Sequence, residues 1–228
     1  ITYSDRHNLT MTVSLDKTIK MLSPDSGQEN MCIPTDLPLW CCNWDVSEPN
    51  RICVGGLSGN ILLYDIRQTK ACLSRVHDIR DVSPIISLSS MSDNVISCSL
   101  NSVRIHRKND SGSFVSENQG IIGPFYDMNY DFSTKSLVLS LRPSVLMSYC
   151  RHNVFTYDFM KQKTVGEPVK TFLGTSKLTQ MTKASQFCIG GDQLFSSYCE
   201  AGESIIIWDI GNKKKASSLM CRDLIIDT

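Results

Sequence analysis

Short runs of β-branched and other apolar residues recur along the chain, each introduced by a polar turn and ended by a bulky side chain. One such element occurs five times, at residues 15–22, 58–65, 101–106, 151–158 and 202–209. The bulky residues lie 42, 42, 51 and 51 positions apart and are Leu22, Tyr64, His106, Tyr157 and Trp208. A period of about 40 residues indicates a repeat fold in which each copy is one structural unit.

A second strand-like run precedes each copy, at residues 10–14, 52–56, 94–100, 136–141 and 187–191. Further candidate strands lie between the copies, at 39–44, 85–91, 125–132 and 177–183, with a short piece around Phe172. Four short strands per repeat, separated by turns rich in Gly, Asn and Ser, are typical of a β-propeller blade. A β-sandwich with irregular strands is the alternative.

The apolar runs predict strands that are covered on both faces. Ile205-Ile206-Ile207 offers no polar face, and such a strand must pack against a neighbour on each side. Blades of a propeller provide this, because each lies between two others and few strand edges remain exposed. We therefore expect Ile207 to be buried between blades, and a lysine there to unfold the domain.

The repeats resemble those of WD40 proteins. Trp208-Asp209 is the dipeptide that gives these repeats their name, and Tyr64-Asp65 is a conservative version. Because five in-phase copies are present, we predict an all-β, WD40-type β-propeller with five blades represented. We expect one domain over residues 1–228, with the first and last blades incomplete and the chain truncated at both ends, as part of a seven-bladed ring.

The composition limits the kinds of binding partner and the cellular compartment that we expect for this chain. Lys and Arg together number 23, as do Asp and Glu, so the chain lacks the basic excess that favours nucleic acid or acidic membranes. The run Lys213–Lys215 is interpreted as a solvated turn. Apolar runs are too short for a membrane-spanning helix, and no signal peptide is visible at residue 1. We predict no nucleic-acid or membrane binding and an intracellular protein.

The ten cysteines do not predict a metal site. No two are separated by two residues, and the adjacent Cys41 and Cys42 should point to opposite faces of a strand. Four of the remaining thiols lie among apolar residues and are interpreted as small hydrophobic side chains in a reducing compartment, namely Cys32, Cys53, Cys98 and Cys188. We therefore expect no zinc and no other cofactor in this chain.

Residues that could carry chemistry are better explained by structure. His77 is expected to bond a strand serine and a turn aspartate, and His106 to be a partly exposed blade residue. No Lys-Ser or Lys-Thr follows the glycine pairs as a phosphate loop requires, so we interpret them as turn glycines, at Gly55-Gly56, Gly190-Gly191 and Gly202. Four acids are expected to end strands or cap turns, namely Asp16, Asp65, Asp158 and Asp209. No catalytic residue is predicted.

The loops at one end of the blades are the predicted binding surface, because rigid strands hold varied side chains there. From the phase of the repeat, this candidate partner-binding face comprises Asp16, Lys17, Asp36, Leu37, His77, Arg80, Asn101, Arg151, His152, Ser176, Lys177 and Glu203. We expect partners to dock through the part of this face that bears His77, Arg80, Arg151 and Lys177, because a cluster of basic residues favours an acidic partner.

Several segments are similar to one family in particular, the RING-finger and WD-repeat E3 ubiquitin ligases that act on replication protein A in DNA repair. They lie at residues 38–44 and 56–67, at Leu141-Arg142-Pro143, and at 170–174 and 177–178. The similarity is greatest over residues 9–69, patchy over 137–210 and weak over 71–135.

The resemblance implies a nuclear ligase whose C-terminal propeller recognises the substrate and whose zinc-binding RING, outside this chain, recruits an E2 enzyme. Replication protein A is then the expected partner. The alternative is a WD40 scaffold in an assembly without ubiquitin chemistry, and a RING motif upstream in the full-length gene would separate the two. An enzymatic propeller would need an acid or metal cluster, for which the sequence offers no pattern.

Overall fold

The computed structural model describes residues 1–77, 80–144, 149–161, 164–177, 185–189, 192–199 and 204–220. These residues form twenty β-strands, joined by turns and short connections. They contain no helix that is long and apolar enough to cross a membrane.

Each set of four consecutive strands forms one sheet, in which neighbours in sequence are also neighbours in space. The first sheet contains β1 (Thr2–Ser4), β2 (Leu9–Val13), β3 (Thr18–Leu22) and β4 (Glu29–Pro34). The second contains β5 (Leu39–Trp44), β6 (Arg51–Gly56), β7 (Asn60–Asp65) and β8 (Ser74–His77). The third contains β9 (Ile85–Met91), β10 (Asn94–Ser99), β11 (Ser102–Lys108) and β12 (Phe114–Ile122).

The remaining two sheets follow the same plan. The fourth contains β13 (Phe125–Asp131), β14 (Ser136–Leu141), β15 (Tyr149–Thr156) and β16 (Lys170–Lys177). The fifth contains β17 (Ser185–Ile189), β18 (Asp192–Cys199), β19 (Ser204–Asp209) and β20 (Lys214–Met220). Five four-stranded sheets confirm the predicted all-β, blade-built fold. The first and the last sheets each have four strands, and the truncation of the chain at both ends stays a prediction.

The chain divides into two compact units, Ile1–Ile121 and Ile122–Thr228, here called unit 1 and unit 2. In unit 1, the second sheet packs against both of its neighbours. Cys42 Sγ lies 3.9 Å from the carbonyl oxygen of Met11 in the first sheet, whereas Cys41 Sγ lies 3.2 Å from that of Ile85 in the third. The two adjacent cysteines therefore point to opposite faces, as predicted. In unit 2, a cluster of buried side chains joins the fourth and fifth sheets, namely Val138, Val154, Phe172, Phe195, Ile206, Trp208 and Ile210.

The middle strands of the sheets carry the apolar cores. Strand β14 is buried at every position, and the side chains of β6 are buried after the first residue. In β19 it is Ile206 that is buried, while Ile207 is only half-buried. The prediction that Ile207 is the buried residue is therefore wrong by one position, because neighbouring side chains of a strand alternate between its faces. Ile206 is the position where a lysine should unfold the protein.

Two further expectations require correction, for the run 187–191 and for Cys32, and a third lies mostly outside the described residues. The run 187–191 was assigned to the second strand of the last repeat, but its residues 187–189 belong to the first strand, β17. Of the candidate strand 177–183, Lys177 ends β16 and the other residues lie outside those described. Cys32 is exposed in an outer strand, whereas Cys53 and Cys98 are buried as expected. Cys188 lies in β17.

Gly55 and Gly56 lie in strand β6 and are not turn residues. A Cβ on Gly55 would lie 2.6 Å from Cys41 Sγ and 2.7 Å from Ile85 Cγ2, so glycine is needed for close packing of the second sheet against the third. The turn glycine in this region is Gly59, with a φ of 71°. Gly190, Gly191 and Gly202 lie outside the described residues.

Candidate partner-binding surface

The turn between β2 and β3 is built around Asp16. Its carboxylate accepts hydrogen bonds from the backbone N–H of Thr18 at 3.0 Å and from the Thr18 hydroxyl at 2.7 Å. The hydroxyl bond is the main reason that the pKa of Asp16 is lowered. Lys17 follows with a φ of 68°, and its carbonyl accepts the Thr35 N–H at 2.8 Å. The turn that carries Asp16 and Lys17 is therefore fixed to the connection between β4 and β5.

That connection carries the next two residues of the predicted face. Asp36 forms an ion pair with Arg75 of β8, and the hydrogen bond from Arg75 lowers the pKa of the Asp36 carboxyl. Leu37 is half-buried against the core shared by the first and second sheets. The structure thus brings Asp16, Lys17, Asp36 and Leu37 together, but Leu37 offers only part of its side chain to a partner.

The connection between β8 and β9 is held by Asp81. Its carboxylate accepts hydrogen bonds from the hydroxyls of Ser99 at 2.7 Å and Ser102 at 2.5 Å, and from the backbone N–H of Ser83 at 2.9 Å. Arg104 Nε lies 3.8 Å from the same carboxylate, and both side chains are about nine-tenths buried. Burial alone would raise the pKa of Asp81, but the hydrogen bonds outweigh it and lower the pKa to about 2.

This network places the next predicted residues at the same end of unit 1. Arg80, directly before Asp81, is exposed, and its Nη2 donates to the carbonyl of Ser116 at 3.3 Å. Asn101 lies in the turn between β10 and β11 and donates through Nδ2 to Ser83 Oγ at 2.8 Å. The turns and connections that the phase of the repeat assigned to one face therefore do lie together within unit 1.

His77 does not have the structural role predicted for it. Its side chain is exposed at the end of β8 and lines a cleft of about 430 Å³ together with Arg75 and Phe114. The serines of the neighbouring strand are instead bound by Asp81, four positions later. One signal for Asp81 is present along the chain, since Asp-Val-Ser-Pro allows the carboxylate to accept the N–H two residues ahead.

In unit 2, Arg151 and His152 lie on opposite faces of β15. Arg151 is half-buried. His152 is fully buried, with Nδ1 2.9 Å from Ser140 Oγ and its ring 5.3 Å from that of Phe195. Burial lowers the pKa of His152 to about 3, so the ring is neutral at physiological pH. His152 therefore packs between the fourth and fifth sheets and cannot contact a partner, contrary to the prediction.

The last residues of the predicted face are only partly located. Ser176 and Lys177 end strand β16, where Lys177 pairs with Tyr149 at the start of β15. Their backbone therefore lies at the same end of the fourth sheet as Arg151. Glu203 lies outside the described residues. Contact of the face with a partner stays a prediction.

His106 is buried and not partly exposed as predicted. Its Nε2 lies 2.8 Å from Ser97 Oγ on β10, and its Nδ1 lies 2.7 Å from Ser116 Oγ on β12. Trp208, at the corresponding position of the fifth sheet, donates from Nε1 to Ser197 Oγ at 2.9 Å. The bulky residue of the repeat thus ties the third strand to a serine of the second strand. Both hydrogen bonds are structural.

The acids that end the repeats cap turns, as predicted. The Asp65 carboxylate accepts the backbone N–H of Arg67. In the same way, Asp158 accepts the N–H of Met160, and Asp209 accepts the N–H of Asn212. Lys213–Lys215 are exposed, with Lys213 in the turn before β20 and the other two in the strand. Within the described residues, no group of three His, Cys, Asp or Glu side chains is arranged to hold a metal ion.

Two aromatic residues at the first strands of their sheets, Trp40 and Tyr126, were not predicted to belong to the candidate partner-binding face. Leu39 pairs with Gly56 and Cys41 with Gly55, so Trp40 is the extra residue of a β-bulge and is 54% exposed. Tyr126 is the extra residue of the corresponding bulge in β13, and the guanidinium carbon of Arg142 lies 5.1 Å from its ring centroid. A bulge cannot be recognised in one sequence, because it depends on how the partner strand is paired.

The folded chain, with its five four-stranded sheets and its loops gathered at one end of unit 1, is a WD40-type β-propeller domain. The family model for the WD40 domain of E3 ubiquitin-protein ligase RFWD3 matches residues 1–228. The chain belongs to this family.

Relatives of known name agree with this assignment. The chain is 26% identical over 253 residues to E3 ubiquitin-protein ligase RFWD3 of Mus musculus, covering 98% of this chain and 31% of the mouse protein. It is 24% identical over 238 residues to the protein of the same name from Ailuropoda melanoleuca, covering 96% and 31%. The chain thus spans about a third of the length of these curated relatives. It is the WD40 domain of an E3 ubiquitin ligase family.

Proposed function

We propose that this chain is the partner-recognition domain of a nuclear RING-type E3 ubiquitin ligase of the DNA damage response, and that replication protein A is the protein it recognises. In this proposal, the RING and its zinc ions lie outside the chain and bind the E2 enzyme. The chain itself supplies no catalytic group and holds the target within reach of the E2.

The observation that carries the proposal is the arrangement of the loop end of unit 1. Asp16, Lys17, Asp36, Arg80 and Asn101 are all exposed there, and each lies in a turn or connection that is held by a hydrogen bond or an ion pair to a strand or to another connection. Exposed polar side chains on rigid loops suit protein recognition, because little conformational entropy is lost when they are bound. The match to the ligase family supports ubiquitin transfer as the purpose of that recognition.

The test of the proposal is to measure, by biolayer interferometry at low and at high salt, whether the chain binds purified replication protein A. The double variant Lys17→Glu/Arg80→Glu reverses two exposed charges of unit 1. We expect weaker binding, a lower association rate and a smaller salt dependence, because exposed charges act mainly on encounter. Melting curves should stay unchanged, since exposed loop substitutions shift stability by only about 0.5 kcal/mol.

Lys213→Glu/Lys215→Glu is the matched control, because it reverses two exposed charges, one in the turn before β20 and one in the strand itself. It should bind like the original chain. Absence of binding by the original chain, or equal loss in both double variants, would contradict recognition through this face. A full-length protein without a RING would contradict the ligase role and favour the scaffold alternative.

A further inference from the structure

The outer strand of the second sheet, β8, has one edge that no other strand of that sheet covers. It is the last strand in the order of the sheet and pairs with β7, from Leu63 opposite Ser74 to Asn60 opposite His77. In an antiparallel pair, every second residue directs its backbone N–H and C=O groups away from the partner strand. Alternate residues of β8 therefore present backbone donors and acceptors at the outer edge.

The other outer strands carry features that oppose the addition of a further strand. Strand β4 ends in Pro34, and β12 is interrupted by Gly120, whose φ is 71°. Strand β16 begins and ends with lysine, and β20 begins with two lysines. Proline, irregular backbone and lysine at an edge each discourage strand pairing. Strand β8 contains none of the three, so its edge remains suited to pairing.

A cleft of about 430 Å³ lies beside β8, between the second and third sheets of unit 1. All four residues of β8 line it, together with Gly112, Ser113 and Phe114 of the third sheet. Gly112 has no side chain, and a Cβ there would meet nothing closer than 4.0 Å. Ser113 is small and exposed. The volume is within the range of about 300–1,000 Å³ of ligand sites in proteins, so the cleft has room for a short stretch of chain.

The two faces of β8 offer different surroundings to the side chains of an added strand. Val76 is buried in the core shared by the second and third sheets, and Phe114 packs against that core. Arg75 and His77 point to the opposite face, because neighbouring side chains of a strand alternate. Arg75 forms an ion pair there with Asp36. Because this pair has no net charge, the described residues favour neither an acidic nor a basic segment.

We propose that the edge of β8 binds an extended, uncharged segment of a partner protein, which adds to the second sheet as one more strand. Apolar side chains of the segment lie on the side of Phe114, and polar ones lie on the side of His77. Backbone hydrogen bonds supply the affinity, and the alternation of side chains supplies the specificity. The proposal does not depend on replication protein A as the partner.

The test is an NMR titration of the ¹⁵N-labelled, 228-residue chain with a capped peptide of alternating valine and threonine. Two matched peptides carry backbone N-methyl groups, either on every valine or on every threonine. Because alternate residues direct their N–H groups to opposite edges of a strand, only one methylated peptide loses the bonds to β8. That peptide should bind at least about tenfold more weakly than the parent peptide, and the other should bind within about twofold of it. Equal affinities of the two methylated peptides, or no binding of the parent peptide, would overturn strand addition.

Salt distinguishes this surface from one that recognises charge. The affinity for the peptide should be the same at low and at high salt, because no charged group takes part. Binding that is lost at high salt would contradict an uncharged occupant. Binding of the peptide without binding of replication protein A leaves the β8 proposal standing and shows that the proposed partner is wrong.

Ser113→Trp blocks the cleft from an exposed position. Ser111→Trp is the control, because Ser111 is exposed in the same turn and does not line the cleft. We expect Ser113→Trp to weaken peptide binding by about tenfold or more through steric overlap, and Ser111→Trp to leave it unchanged. Equal effects of the two substitutions would show that the peptide binds elsewhere.

Hydrogen exchange of the original chain gives a readout that needs no variant. Alternate amides of β8 should exchange more slowly when the peptide is bound, whereas those of β4 should not change. Absence of this protection at β8, or equal protection at β4, would overturn the proposal. So would a dimer of the chain, seen by analytical ultracentrifugation, that Ser113→Trp converts to a monomer, because the occupant of the edge would then be a second copy.

Discussion

The two units differ in whether the arginines near their loop ends are paired with acidic side chains. In unit 1, Arg75 pairs with Asp36, and Arg104 lies beside the buried carboxylate of Asp81. In the described part of unit 2, Arg151 is half-buried and its Nη1 atom has no hydrogen-bond partner, whereas the Arg142 guanidinium lies over the Tyr126 ring. Charges that are paired inside the protein hold loops in position. An arginine that is paired with an acid inside the protein therefore differs in its expected contribution to stability from one that is not.

Removal of Asp81 should have the largest effect on this comparison. Asp81→Ala leaves Arg104 buried without its acid and removes the acceptor for Ser99 and Ser102. We expect a loss of about 3–5 kcal/mol in the free energy of unfolding, measured with urea, because an uncompensated buried charge is costly. Asp25→Ala, at an exposed turn, is the control and should change little.

The double variant Asp81→Ala/Arg104→Met sharpens this test. Because methionine removes the unpaired charge and keeps most of the side-chain volume, it should recover part of the lost stability. A loss in Asp81→Ala no larger than that in Asp25→Ala would show that the network does not stabilise unit 1.

A substitution where the second sheet packs against Asp81 should reduce the free energy of unfolding by less than removal of Asp81 does. Gly59 and Gly112 both have positive φ, at 71° and 83°. A Cβ on Gly59 would lie 2.3 Å from the carbonyl oxygen of Asp81, whereas one on Gly112 meets nothing closer than 4.0 Å. We expect Gly112→Ala to cost about 1–2 kcal/mol through the backbone alone. Gly59→Ala should cost about 2–4 kcal/mol, because the clash adds to the strain. If Gly59→Ala and Gly112→Ala unfold at the same urea concentration, the close contact between Gly59 and Asp81 would be contradicted.

Replacement of Arg151 should have the smallest effect on stability. Arg151→Met removes a charge whose Nη1 atom has no hydrogen-bond partner among the described residues, and it retains the apolar part of the side chain. The free energy of unfolding should change by less than about 1 kcal/mol in either direction. Arg104→Met, by contrast, should be measurably destabilising, because it removes the cation beside Asp81. Equal losses in the two methionine variants, by urea unfolding, would end the distinction between the units.

The strands that the sequence predicted best are the buried ones. Strands β5, β9 and β14 were predicted with their observed limits, because each carries apolar residues that a core must cover. The outer strands β4, β12 and β20 were missed. Strand β20 is exposed throughout and β4 at most positions, so neither has the apolar pattern by which a strand is recognised.

The positions of the turns in the candidate partner-binding face could be predicted from the sequence, but the directions of the side chains could not. Asp16 and Asn101 were placed correctly, since a polar turn before the third strand has a fixed place in the repeat. His152 was placed wrongly, because it and Arg151 belong to one strand and must point to opposite faces. The phase of a repeat therefore locates a loop but not the orientation of each side chain near its end.

The sequence by itself determined the repeat, the buried strands, the turn acids and the membership of the RFWD3 WD40 family. Only the tertiary structure decided which charges are paired. Asp36 and Arg75 are 39 positions apart, and Ser102 lies 21 positions from Asp81. The interaction of charges depends on their separation in space and on how much water lies between them, neither of which is written in the spacing along the chain.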